Sequence, residues 1–139
     1  MIEQSCQATG GCLCGAVRYE LSAGPVFTAI CHCRNCQRQT GSAFSIVTGY
    51  PAAAYVQMGE SSIFVDRGAS GRPVERHFCG RCGSALLSRI EPLPELVLIK
   101  SGTLDDVAAL DPVVEVFCAS RMAFLPELPA TERFEHSNV

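Results

Sequence analysis

Gly11-Cys12-Leu13-Cys14-Gly15-Ala16-Val17-Arg18-Tyr19-Glu20-Leu21 is the stretch on which the reading of the fold turns. From Cys12 to Leu21, Leu13, Val17, Tyr19 and Leu21 fall on one face and Cys12, Cys14, Arg18 and Glu20 on the other. Alternation with a period of two marks a half-buried strand, whose residues i and i+2 share a face. The pattern predicts a strand over 12–21 with both thiols on one side. Far along the chain, Cys79-Gly80-Arg81-Cys82-Gly83 offers a second pair. Cys-x-x-Cys suits a tight turn that aims two sulfurs at one ion, and Gly80 and Gly83 tolerate the φ > 0 conformations that bring backbone N–H groups to sulfur. Four thiolates match tetrahedral zinc, so Cys12, Cys14, Cys79 and Cys82 are the expected ligands of a closed, structural site. Four sulfurs and one Zn²⁺ sum to −2, which backbone N–H groups and Arg18, Arg76 and Arg81 are expected to offset in part. Rubredoxin-like iron, or four ordinary buried thiols, are the other readings of these residues.

Outward from this stretch the strand signals continue. Ala43 to Tyr50, Ile63 to Asp66, Glu75 to Cys79, Ala85 to Ile90, Leu96 to Lys100 and Val113 to Cys118 are short runs with strand character. Gly59, Gly68, Gly71-Arg72-Pro73, Pro92-Leu93-Pro94 and Asp111-Pro112 punctuate them at the spacing of an antiparallel all-β domain, with no βαβ rhythm. Only Arg34 to Thr40 suits a helix, capped by Asn35 or a residue before it and closed by Gly41. Pro126 to Val139, with two prolines and mixed charge, reads as a peripheral tail.

Cys31-His32-Cys33-Arg34-Asn35-Cys36 sets three thiols within six residues, before and inside that helix. Zinc held by Cys31, Cys33 and Cys36 would keep a fourth position for water or an incoming thiol, the arrangement of a catalytic site. A second stabilising site, a metal-free cluster and a redox-sensing one are open alternatives. His32, flanked by two chelating cysteines, is expected to line the site rather than join it. Of the remaining cysteines, Cys6 is expected near a mobile end and Cys118 in a strand core. His77 is expected to pack on a strand face, and His136 carries no specific signal.

A chain of 139 residues, 47% hydrophobic and 18% charged, is expected to form one domain over 1–139, with its core at about 10–125 and loose ends. Its net charge of −3 argues against non-specific binding to nucleic acid or anionic membranes. Met1 to Gly10 lacks the basic and apolar regions of a secretory signal, and the nine cysteines are an odd number. The expectation is a cytoplasmic protein with free thiols.

Three segments carry a family resemblance: Gly10 to Tyr19, Cys31 to Ser42 (Cys-His-Cys-Arg-Asn-Cys-Gln-Arg-Gln-Thr-Gly-Ser), and Phe78 to Ser84 (Phe-Cys-Gly-Arg-Cys-Gly-Ser). Together they resemble the glutathione-dependent formaldehyde-activating enzyme family, related to centromere protein V. Lys100 to Asp106 and Val116 to Phe124 look like the family's later segments, with Phe124 where tryptophan is common and Glu115 where histidine is frequent. The resemblance implies a β-tent fold and two zinc ions, a structural one on Cys12, Cys14, Cys79 and Cys82 and a second on Cys31, Cys33 and Cys36. It also implies a carbon–sulfur lyase acting on the adduct of glutathione with formaldehyde, S-(hydroxymethyl)glutathione. Arg34 and Arg38 are then candidates to hold glutathione carboxylates, since guanidinium forks suit that group. A non-catalytic thiol carrier and a zinc-stabilised interaction domain are the rival classes.

Overall fold

Aliphatic and β-branched runs broken by glycine and proline leave little room for helix, and the computed structural model, which describes residues 6–139, is built almost wholly of short strands. Residues 1–5, part of the end expected to be loose, lie outside the described residues. In chain order the elements are β1 (Ala8–Gly11), β2 (Arg18–Leu21), β3 (Phe27–Cys31), α1 (Arg34–Thr40), β4 (Ser45–Pro51), β5 (Tyr55–Met58), β6 (Ser62–Arg67), β7 (Pro73–Phe78), β8 (Ala85–Ile90), β9 (Leu96–Lys100), β10 (Val114–Val116) and β11 (Glu132–Arg133). They form a three-stranded sheet, β1-β2-β5, and an eight-stranded sheet, β11-β10-β3-β4-β9-β8-β7-β6. The pairings are antiparallel except those of β10 with β3 and with β11. The expected all-β, mainly antiparallel class with one short helix is therefore what the chain adopts.

The two sheets share a core. Tyr19 and Leu21 of the small sheet pack with Tyr50, Leu87, Val97 and Ile99 of the large one and with Leu104, all buried. The edge of β1 is fastened by a bridge between Gly10 and Leu104, at a point where a side chain on Gly10 would collide with the Tyr19 hydroxyl and the Thr103 carbonyl. A second, smaller core of Cys12, Val17, Cys79 and Leu86 lies where the β1–β2 connection meets the β7–β8 connection.

The strand expected over 12–21 is shorter than its alternation implied. Only Arg18–Leu21 is strand, and Cys12 to Val17 is the loop of the β1–β2 hairpin. Two hydrogen bonds shape that loop, from the Gly15 N–H to the Cys12 carbonyl and from the Cys12 N–H to the Val17 carbonyl, at 3.2 and 3.0 Å. Gly15 takes φ 80° to make the reversal. Leu13, placed by its period on the same face as Val17, Tyr19 and Leu21, which are buried, is 89% exposed at the tip.

The helix forms where expected. The Cys33 thiol caps its start by accepting from the Cys36 N–H, and Gly41 closes it at φ 64°, a conformation that costs other residues their Cβ clearance. The last segment is more than a peripheral tail: β11 adds a strand beside β10, and the Phe134 N–H donates to the Glu115 carbonyl. Cys118, expected in a strand, lies half-buried in a 3-10 turn just after β10. Phe117, in the left-handed region at φ 57°, turns the chain out of β10.

Candidate functional site

The first cysteine cluster follows from the two connections that meet. The β1–β2 loop brings Cys12 and Cys14, and the β7–β8 knuckle brings Cys79 and Cys82, with all four sulfurs within 4.8 Å of one another. Cys12 and Cys14 are 3.7 Å apart and Cys14 and Cys79 3.8 Å. Tetrahedral zinc with metal–sulfur bonds of about 2.3 Å has sulfur–sulfur edges of about 3.8 Å, so the spacing fits that ion. The Val17 N–H donates to Cys12 Sγ and the Cys82 N–H to Cys79 Sγ, at 3.2 and 3.5 Å. The Ser84 side chain and backbone hydrogen bonds hold the Cys82 thiol down at about 5. Of the arginines expected to offset this cluster, Arg18 is paired with Asp105 and Arg76 lies at the other cluster.

That second cluster comes from the end of β3 and the start of α1. Cys31, Cys33 and Cys36 also lie within 4.8 Å of one another. The Cys33 and Cys36 thiols crowd Cys31, and together with burial they drive it far up. Cys36 goes the other way: the Cys31 and Cys33 side chains favour its thiolate, and Lys100 and Arg76 attract it against the cost of burial. Three thiols in contact cannot all ionise unaided, and a divalent cation among them removes that conflict. The donor set therefore suits zinc.

Two buried cations serve this cluster. Arg76, 5% exposed, sets its two terminal nitrogens 3.7 and 3.9 Å from Cys36 Sγ while its Nε donates to Asp66 at 2.9 Å. Lys100, 6% exposed at the end of β9, donates to Ser45 Oγ at 2.7 Å. Burial lowers the pKa of the Lys100 ammonium, and the Cys36 thiol opposes that. Ser45 is the register partner of Cys31 across β3 and β4. Lys100 and Ser45 line a cleft of about 380 Å³, together with Thr40, Phe44 and Thr103 among others, which takes in Gly83 and Ser84 at the knuckle of the first cluster.

Behind the second cluster, His32 donates or accepts through Nε2 at 2.8 Å from Glu115, and both are buried. Their neighbour Cys118 completes a group within 4.8 Å. Glu115 also accepts from Thr131 and from Arg133, so the C-terminal segment secures it. Burial pushes its carboxyl up, but hydrogen bonds from Thr131, His32 and Arg133 prevail and hold it at about 2. His77 packs on β7 within reach of Glu75 and Ser61, as expected of a strand-face histidine.

Arg34 and Arg38 are exposed on α1. Arg34 donates to Gln37 at 2.6 Å, and neither arginine lines the cleft. Sequence reasoning found the seven clustered cysteines but missed Lys100, Ser45 and the placement of Arg76. One signal pointed to Lys100: a charge closing the apolar run Leu96-Val97-Leu98-Ile99 requires a buried partner.

Fold and clusters define a β protein with two sets of cysteines that could hold zinc. The chain belongs to the glutathione-dependent formaldehyde-activating enzyme family, whose sequence profile matches residues 7–120. It is similar to a protein of Halomonas elongata named "Putative glutathione-dependent formaldehyde-activating enzyme", 36% identical over 93 residues. That match takes in 63% of this chain and 59% of the relative, so the chain spans less than two thirds of the relative's length. A crystal structure of a Rhodobacter sphaeroides protein shares the fold, with a TM-score of 0.56 and 23% identity over 73% of this chain and 91% of that one. No helix among the described residues is long and apolar enough to cross a membrane.

Proposed function

We propose that this protein is a zinc-dependent, carbon–sulfur lyase-type enzyme of the cytoplasm that interconverts glutathione and formaldehyde with S-(hydroxymethyl)glutathione. The observation that carries the reading is the contrast between the clusters. Four sulfurs close the first, while Cys31, Cys33 and Cys36 offer three near two buried cations, and the cleft is lined by one of those cations, Lys100, and by Ser45, the register partner of Cys31. Family membership supports the substrates. In this reading Cys12, Cys14, Cys79 and Cys82 hold a structural zinc, and Cys31, Cys33 and Cys36 a second one. Cys31, Cys33 and Cys36 would hold that zinc, which when bound would supply a Lewis acid able to lower the pKa of an incoming thiol.

The chain's own residues do the rest. Arg76 and Lys100 set two positive charges against the sulfur-rich centre and favour one further thiolate there. The cleft holds the aldehyde close to that sulfur, so that a bimolecular encounter becomes a positioned one. Arg34 and Arg38, on the exposed side of α1, are the proposed partners of the glutathione carboxylates. Formation of the adduct joins sulfur to carbon, moves the carbonyl π pair to oxygen, and returns one proton to that oxygen for the one lost from the thiol.

Thiols add to aldehydes unaided, so the test must compare rates. Exchange spectroscopy on glutathione and formaldehyde, with and without the zinc-loaded protein, should show faster interconversion with it, and the Cys31→Ser variant should lose that gain. Equal exchange rates with and without protein at high concentration would leave a thiol-binding protein instead.

A further inference from the structure

The cleft contains a pair of hydrogen-bond donors, Lys100 and Ser45, that contacts among the described residues do not use up. Lys100 has three N–H donors and, among the described residues, spends one of them, on Ser45 Oγ at 2.7 Å. Ser45 Oγ accepts that bond, and its own O–H has no protein acceptor among the described residues. Both residues are buried, Ser45 at 1% exposed and Lys100 at 6%. Burying an ammonium is costly, and a fold that only needed to fill this position could do so with methionine or leucine. Among the described residues Lys100 is also the one charged residue lining the cleft; its other neighbours there, such as Gln39, Thr40, Ser84 and Thr103, are neutral. Donors without acceptors, next to a cation and inside a cleft, are suited to an oxygen that gains negative charge.

We propose that Lys100 and Ser45 form the oxyanion-binding site for the carbonyl oxygen of the aldehyde substrate. The inference rests on the reaction proposed above. As the thiol sulfur's electron pair forms the carbon–sulfur bond, the π pair of the aldehyde moves to oxygen. The Ser45 O–H and a free Lys100 N–H then donate to that oxygen. Lys100 polarises Ser45 through their mutual hydrogen bond, so the two act together. Solvent delivers the proton that neutralises the alkoxide, matching the one the thiol gave up. In the reverse direction the same donors stabilise the same oxygen while the bond breaks.

The test uses zinc-loaded wild-type protein and the variants Lys100→Met and Ser45→Ala, each checked for zinc content and thermal unfolding. At saturating thiol, Lys100→Met should lower the exchange rate about a hundredfold, the lower end of the range seen on removing oxyanion donors. The loss should be equal for glutathione and for 2-mercaptoethanol, which has no carboxylate. Ser45→Ala should show a smaller loss of the same kind, and it keeps the test alive if Lys100→Met does not fold. A loss confined to glutathione would make Lys100 a carboxylate anchor and overturn the proposal, as would folded variants that retain full rates. Formate, a one-carbon oxyanion, provides a readout free of turnover. Titrated against amide resonances near Ser45, it should bind the Lys100→Met variant at least about tenfold more weakly than wild type. Formate binding that depends on Lys100, in a protein that does not accelerate exchange, would sink the proposed activity and leave the oxyanion site standing. Formate binding indifferent to Lys100 would sink the site.

Discussion

Glu115 is a carboxylate with almost no contact with water, and it survives there because His32, Thr131 and Arg133 all point hydrogen-bonding atoms at it. Burial alone would neutralise such a group. Its carboxyl is instead held at about 2, below the usual carboxylate range, so the charged form belongs to the folded state. A depressed folded-state pKa contributes stability above the unfolded value, near 4.3, and that contribution fades as pH falls toward about 2. Glu115→Gln should therefore destabilise the protein by about 1–3 kcal/mol near neutral pH, by weakening buried charge-assisted bonds. The gap in melting temperature between wild type and variant should narrow steadily from about pH 5 down to pH 3. A gap that stays constant over that range would show that the carboxylate charge contributes nothing. Glu115 was visible in the sequence only as an unexpected residue, because its partners come from a segment 16 and 18 positions further on.

Among the elements, the β1–β2 hairpin shows where periodicity misleads. Cys12-Leu13-Cys14 fits a strand as well as it fits a loop, because three residues of alternation cannot separate the two. What decided the outcome was Gly15 at φ 80° and the bonds that close the loop on Cys12, which turn both thiols toward the β7–β8 knuckle and leave Leu13 outside. Leu13→Ser should change stability by less than about 0.5 kcal/mol, as expected of an exposed position. Had the alternation placed it in the core, the loss would be several times larger, so a denaturant titration separates the two pictures. Other elements were legible because their signals were local: β8 and β9 as apolar runs with clear borders, and α1 between its cap and Gly41. β1, β3 and β5 went unseen. Phe27–Cys31 runs straight into the metal-ligand motif, and Ala8–Gly11 ends in two glycines that find their place only against Tyr19 and Thr103.

At the scale of the molecule, the cysteines were legible while the cations around them were not, and the reason is distance along the chain. Thiols announce themselves by spacing, whereas Arg76 and Lys100 reach Cys36 only once β7, β9 and α1 have come together. The two clusters also occupy different mechanical positions. Cys12 and Cys14 lie in the loop that joins two strands of the small sheet and Cys79 and Cys82 in the connection between two strands of the large one, so an ion bound by all four ties the sheets over the small core of Val17 and Leu86. Cys31, Cys33 and Cys36 span only the end of β3 and the start of α1, and losing an ion there frees no sheet from the other. Metal-binding free energy is folding free energy where the site exists only in the folded chain, so the cost of losing each ion should follow what it joins. Cys79→Ser should accordingly unfold the protein or lower its melting temperature sharply, while Cys31→Ser should stay folded and carry one zinc fewer by elemental analysis. Equal unfolding in both variants would make the second cluster as structural as the first and remove the basis for assigning it chemistry.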